Sequence, residues 1–237
     1  MSYVELHAHS HYSLLDGASS PADLVDRAAE LGYTALALTD HNGLYGAIPF
    51  YLAAKERGIR PIIGAEVTLT EGSHLVLLAR NRTGYANLCG LLSQAGLAGS
   101  KGKPVLPLEA LAGRARGLIA LSAYEQNTLA RLLPDTRPEA PRAVLDLAAR
   151  YRDTFEPGCF YIELQRHRLP DDARLNWQLS DVARRLGLPT VVTHNVHYAR
   201  HAQHRLHDVL QAIAQHTTLD KARLRGNSQF YLLSPEE

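Results

Sequence analysis

The chain has 237 residues, 46% of them hydrophobic, so it is long enough to bury a sizeable core as one large α/β domain. Its formal net charge of +1 excludes strong non-specific attraction to nucleic acid and confines any such contact to a local patch. The two cysteines, Cys89 and Cys159, are far apart, which excludes a disulfide framework and a thiolate zinc site.

In chain order, Tyr3–His7 reads as a strand. Ser20-Pro21 supplies a helix cap and a first-turn proline ahead of Leu24, Val25, Ala28 and Leu31, and Gly32 ends that helix. Thr34–Thr39 is a second strand running into Asp40-His41. A helix over 44–57 stops at Gly58, and Ile59–Leu69 is a third strand carrying Glu66. His74–Ala79 is a fourth strand, followed by a helix through Leu88, Leu91 and Leu92. Gly99–Pro104 is a basic loop in which Lys101 and Lys103 are solvated. Gly117–Leu121 is a strand, and two helical stretches flank Pro134–Pro141. Phe160–Leu164 is a strand, Leu175 to Leu186 marks a helix, and Pro189–Thr193 is a strand ending at His194. This alternation predicts a parallel sheet, and some seven units suggest a closed barrel.

The chemistry concentrates at strand ends, where barrel active sites form. In Leu6-His7-Ala8-His9-Ser10, alternation along a strand turns His7 and His9 to one face, so that both can grip one ion. Thr39-Asp40-His41, Gly64-Ala65-Glu66, His74 and Asn195-Val196-His197 repeat the placement of a potential ligand after an apolar run. Arg80 and Arg82 follow a strand end and are candidates for holding a substrate phosphate. Imidazole and carboxylate without thiolate suit zinc, manganese or iron better than calcium or magnesium; zinc or manganese is expected. No nucleophile elbow or catalytic-triad spacing is present. Met1–Glu5 has neither a basic start nor an apolar stretch, and no apolar run spans a bilayer, so a cytoplasmic protein without membrane contact is expected.

These segments, with Tyr12-Ser13-Leu14-Leu15-Asp16-Gly17, Pro61–Glu66, His74–Ala79, Gly84–Leu88 and Asn227–Leu232, resemble the PHP (polymerase and histidinol phosphatase) phosphoesterases. The likeness is greatest to the N-terminal PHP domain of bacterial C-family DNA polymerase III α subunits of the error-prone type, and it runs along essentially the whole chain. It implies a single PHP domain over 1–237, folded as a distorted seven-stranded (β/α) barrel, with 200–237 resembling the link to a polymerase core that this chain has no room for.

The resemblance further implies two to three divalent ions. His7 and His9 hold one ion, with Glu66 bridging to a second that His74 also holds. Asp16, His41 and His197 hold a third. His7, His9, Glu66, His41 and His197 thereby become the catalytic set. Two positions depart from the family pattern: Tyr124 stands where a cysteine or histidine is usual, and Asn195 replaces the aspartate of Asp-x-His. Asn195 offers a neutral carbonyl oxygen, while Glu125 and His194 are neighbours able to compensate, although strand alternation turns His194 the other way. The implied activity is phosphodiester hydrolysis at DNA 3′ ends, with a DNA polymerase core or a replication or repair subunit as partner. A histidinol-phosphate-type phosphatase acting on a small phosphate ester, and a metal-braced scaffold for a polymerase, are the alternatives.

Overall fold

The computed structural model describes residues 3–100, 102–123, 128–134 and 140–234. Tyr124, Glu125, Lys101, the middle of the Pro134–Pro141 stretch and the last three residues lie outside the described residues. In chain order the elements are α1 (Pro21–Glu30), β1 (Ala35–Leu38), α2 (Ala47–Arg57), β2 (Arg60–Thr68), β3 (His74–Ala79) and α3 (Arg82–Ala98). There follow α4 (Leu108–Ala112), β4 (Leu118–Leu121), α5 (Thr128–Arg131), α6 (Arg142–Thr154), β5 (Phe160–Gln165), α7 (Asp172–Leu186), β6 (Thr190–Thr193) and α8 (His204–Ala214). The fold is α/β, with the six strands hydrogen-bonded in chain order.

The chain packs as two compact units, one of Met1–Ile63, His167–Leu169 and His194–Glu237, the other of Gly64–Arg166 and Pro170–Thr193. In the first, Ser20 caps α1 by accepting from Asp23 N–H, while Asp23 returns the bond to the Ser20 N–H. This reciprocal box, with Pro21 in the first turn, fixes where the helix starts. Leu24, Val25 and Ala28 then fall on one face and are fully buried with Leu36 of β1 and Phe50 and Ala54 of α2. Gly58 ends α2 at φ 69°, a left-handed conformation that costs glycine little. β1 runs parallel to the first half of β2, from Ala35 opposite Arg60 to Leu38 opposite Ile63.

The expected first strand is an extended segment instead. It holds one bridge to each side, Glu5 with Leu36 and Ala8 with Val196. Both sides carry hydrogen bonds: Glu5 O and Ala8 O accept from Ala37 and Thr39, and His9 N–H donates to Val196 O. Among the described residues there are thus six strands plus this bridged segment, where seven strands were expected.

In the second unit the sheet is mixed, not parallel as the alternation predicts. β3 is antiparallel to both β2 and β4, while β4–β5 and β5–β6 are parallel. The cause is the connection between β2 and β3: Leu69–Ser73 closes a tight hairpin, whereas a parallel crossover needs a dozen or more residues. β3 is apolar on both faces, Leu75, Val76 and Leu77 being fully buried, and α3 covers the sheet with Leu88 and Leu91. Among the described residues, no helix is long and apolar enough to cross a membrane.

Replacing Ser20 by alanine removes one arm of the capping box and is expected to cost about 1 kcal/mol, read as a lower urea midpoint with an unchanged slope.

Candidate metal centre

His7 and His9 are carried by the bridged segment and are completely buried. Their Nε2 atoms lie 3.2 Å apart. The tautomer of His9 follows from its neighbours. The Ser13 hydroxyl donates to Asp40 Oδ1 at 2.7 Å and accepts the His41 N–H at 3.1 Å. Its remaining lone pair accepts from His9 Nδ1 at 3.0 Å. His9 therefore carries its proton on Nδ1, and its Nε2 presents a lone pair. Asp40 is held in turn by the backbone N–H and hydroxyl of Ser10, at 2.7 and 2.8 Å. This carboxylate–hydroxyl–imidazole chain is the arrangement that orients metal-ligating histidines.

The turn that places Ser13 and Asp16 depends on Gly17. A Cβ there would stand 1.9 Å from the Ser10 carbonyl oxygen, so only glycine lets the chain double back on the segment bearing His9. Glu5 stabilises the segment from below. It accepts from the backbone N–H of His7 at 2.8 Å and of His194 at 2.9 Å. Complete burial pushes its pKa up to about 7, against the pull of the Tyr3 hydroxyl and these amides.

Asp16, His41 and His197 join His9 in the same unit. The His41 ring stacks on His9 at 4.3 Å between centroids, and the His197 ring lies 4.8 Å from it. Asp16 Oδ2 is 2.8 Å from His41 Nε2 and 3.0 Å from His197 Nε2. His197 Nδ1 donates to the Asn195 carbonyl at 2.7 Å, which leaves Nε2 with the lone pair. Burial, then the charge of Arg225, holds the His197 pKa well below the usual histidine range, so the ring is neutral. A nitrogen lone pair and a carboxylate thus face each other, and Arg225 supplies the cation between them, its NH2 2.6 Å from His197 Nε2 and 3.4 Å from Asp16 Oδ1. In addition, the side-chain oxygen of Asn195 is buried and has no hydrogen-bond partner among the described residues. Such an orphan acceptor costs about 1–3 kcal/mol unless something satisfies it.

The second unit holds a pair of its own: Glu66, buried on β2, and His74, at the start of β3, whose Nδ1 donates to Glu66 Oε1 across the hairpin. Arg80 and Arg82 are not near this pair. They lie past the far end of β3, roughly 20 Å along the strand from His74, where Arg80 meets Gly117 O and Cys159 Sγ at the beginnings of β4 and β5. The expectation that a strand end faces the site fails for them because β3 runs antiparallel. His194 packs its ring 4.8 Å from His167 and gives its carbonyl to His167 Nε2.

The sequence reading missed Glu5, Ser13, Asp40, His207 and Arg225 as parts of the centre. Ser13 and Asp40 stood inside motifs already singled out, and the signal was their adjacency to ligands. His207 Nε2 lies 3.5 Å from Asp16 Oδ1, on α8, and no local pattern marks it.

Tests of fit favour a divalent ion. An ion held at about 2.0–2.1 Å by two imidazoles in tetrahedral geometry sets their nitrogens roughly 3.3 Å apart, close to the 3.2 Å between His7 and His9. His9 and His197 each carry their lone pair on Nε2, the nitrogen that meets His7 Nε2 and Arg225 respectively, and the Asn195 side-chain oxygen is a buried acceptor without a partner among the described residues. His and Glu side chains able to hold an ion are present among the described residues.

An α/β protein with buried imidazole and carboxylate donors of this kind has side chains that could hold a divalent ion. The PHP domain model matches residues 5–167, and the chain belongs to the PHP family. It is 41% identical to the error-prone DNA polymerase of Symbiobacterium thermophilum over 254 aligned positions, covering 100% of this chain and 23% of that protein. It is 40% identical to the DNA polymerase III subunit alpha of Treponema pallidum, covering 100% of this chain and 21% of that one. The chain therefore spans about a fifth of the length of these relatives. The fold is shared with an amidohydrolase of Chromobacterium violaceum (TM-score 0.57, 20% identity, 82% of this chain and 87% of that one). It is also shared with a lesion-specific endonuclease, EndoQ, of Pyrococcus furiosus (TM-score 0.54, 15% identity, 82% and 48%).

Ser13→Ala frees the His9 tautomer and is expected to weaken divalent-metal binding 10- to 100-fold by isothermal titration, and to lower the melting temperature because three buried hydrogen bonds go with the hydroxyl. His167 gives a pH prediction. Burial, then the His194 charge, lowers its pKa to about 3, so below pH 6.5 the unfolded chain takes up a proton that the folded chain refuses. Stability is lost as pH falls from 6.5 towards 3, at up to ~1.4 kcal/mol per pH unit for this group. His167→Gln should flatten that slope by one proton in denaturant titrations across the range.

Proposed function

We propose that this chain is a metal-dependent phosphodiesterase that releases nucleotides from DNA 3′ ends in the cytoplasm. The observation that carries the reading is the buried His7–His9 pair, its Nε2 atoms 3.2 Å apart and the His9 lone pair fixed by Ser13 and Asp40. Two to three divalent ions, zinc or manganese, would be held by His7, His9 and Glu66, by Glu66 and His74, and by Asp16, His41 and His197, with the Asn195 oxygen as a neutral ligand. Of these, His7, His9, Glu66, His41 and His197 form the catalytic set. The Tyr3–His9 segment would serve as the seventh strand of a distorted barrel. When bound, such ions activate water and neutralise phosphoryl charge near neutral pH.

The protein's own groups supply the rest. Ser13 and Asp40 keep the His9 proton on Nδ1, away from the reacting side. The Asn195 carbonyl does the same for His197. Burial and the charge of Arg225 hold the His197 pKa well below the usual histidine range, which keeps that imidazole in the neutral, ligating form. DNA as substrate is supported by the polymerases among the relatives and by the endonuclease that shares the fold. A polymerase core or a replication or repair subunit is the partner this reading assigns. Arg80 and Arg82 have no part in it.

The test is hydrolysis of a 3′-labelled primer by the purified chain with added Mn²⁺, beside histidinol phosphate as the small ester. Nucleotide release that falls at least 100-fold in His9→Ala, and is abolished by chelator, is expected. Release of phosphate from the small ester alone would move the assignment to a small-molecule phosphatase. Less than one ion per chain, with no turnover of either substrate, leaves the scaffold role.

A further inference from the structure

Arg225 occupies a place in the first unit that chemistry assigns to a cation. Its NH2 group donates to His197 Nε2 at 2.6 Å and lies 3.4 Å from Asp16 Oδ1, while its Nε lies 3.4 Å from His207 Nε2. The guanidinium rests over the Phe230 ring at 4.3 Å, and about a quarter of the side chain reaches solvent. None of these contacts is the bidentate carboxylate pairing that arginine forms when its role is structural. The strongest is to the one lone pair that His197 has to offer.

That lone pair accepts either an N–H or a metal ion, never both. We propose that Arg225 is an exchangeable cation of the centre, which gives up His197 and Asp16 to an arriving divalent ion and then carries the phosphate of the substrate. The inference rests on the metal-dependent reading given above. The displaced side chain has an aromatic face to stay on and an open path to solvent. Its planar fork of donors, no longer engaged by His197, suits two oxygens of a phosphate ester beside the ions. The position is local and cationic, as a chain of net charge +1 requires if it is to hold a polyanion at all.

Manganese titration of the full chain tests the exchange, with Arg225→Ala and Arg225→Gln beside the unaltered protein. Gln keeps much of the side-chain length, and thermal melts check that each variant folds. Both variants are expected to bind Mn²⁺ about five- to tenfold more tightly, because the ion no longer displaces a hydrogen bond from His197. Inorganic phosphate, titrated into the manganese-loaded proteins, should bind several-fold more weakly to both. An unaltered protein that takes up no Mn²⁺ refutes the metal-centre reading and the exchange with it. Uptake of Mn²⁺ by the unaltered protein, with no tightening in either variant, overturns the exchange alone. Tighter Mn²⁺ with unchanged phosphate binding overturns the phosphate role.

Discussion

Asp40 is the constraint on which the centre depends. Buried and fixed by the Ser10 amide, the Ser10 hydroxyl and the Ser13 hydroxyl, it is a carboxylate whose partners are all supplied by one short stretch of chain. Because Ser13 must donate to it, Ser13 can only accept from His9, and the His9 lone pair is set before any ligand arrives. Preorganisation of this kind removes the cost of choosing a tautomer at binding. The same logic recurs at His197, where a backbone carbonyl replaces the serine. Two distant stretches of sequence thus use different partners to leave the lone pair on the same ring nitrogen, Nε2.

Burial makes the donors useful and also makes them demanding. Imidazoles removed from water stay neutral at physiological pH, which is the form that binds metal. A buried acceptor such as the Asn195 side-chain oxygen, without a partner among the described residues, costs free energy until a donor or a cation satisfies it. Asparagine in place of aspartate lowers the negative charge at this point, and Arg225 adds a positive one. Both features shift the balance of the centre against cations, and both lie around His197 rather than around His7 and His9. The first pair of histidines is therefore the firmer part of the site.

Much of this was legible in the sequence, for identifiable reasons. α1 was readable because Ser20-Pro21 and the spacing of Leu24, Val25 and Ala28 all point to one helix. β3 was placed at its observed bounds because its apolar run ends sharply at both sides. Its direction was not readable: period-2 patterning does not encode whether a neighbour runs parallel, and the brevity of the Leu69–Ser73 turn was the clue that went unused. That direction is what sets Arg80 and Arg82 at the end of β3 away from His74. Alternation put His7 and His9 on one face, as observed, whereas Arg225 could not be found, since an irregular segment gives no period from which to infer where a side chain points.

The most direct test is an anomalous diffraction map at the manganese edge from crystals of this chain grown with Mn²⁺. The account predicts a peak within about 2.3 Å of both His7 Nε2 and His9 Nε2, with Ser13 still bonded to His9 Nδ1. A map with no peak there, or with the two histidine nitrogens hydrogen-bonded to each other while manganese sits elsewhere, would contradict it.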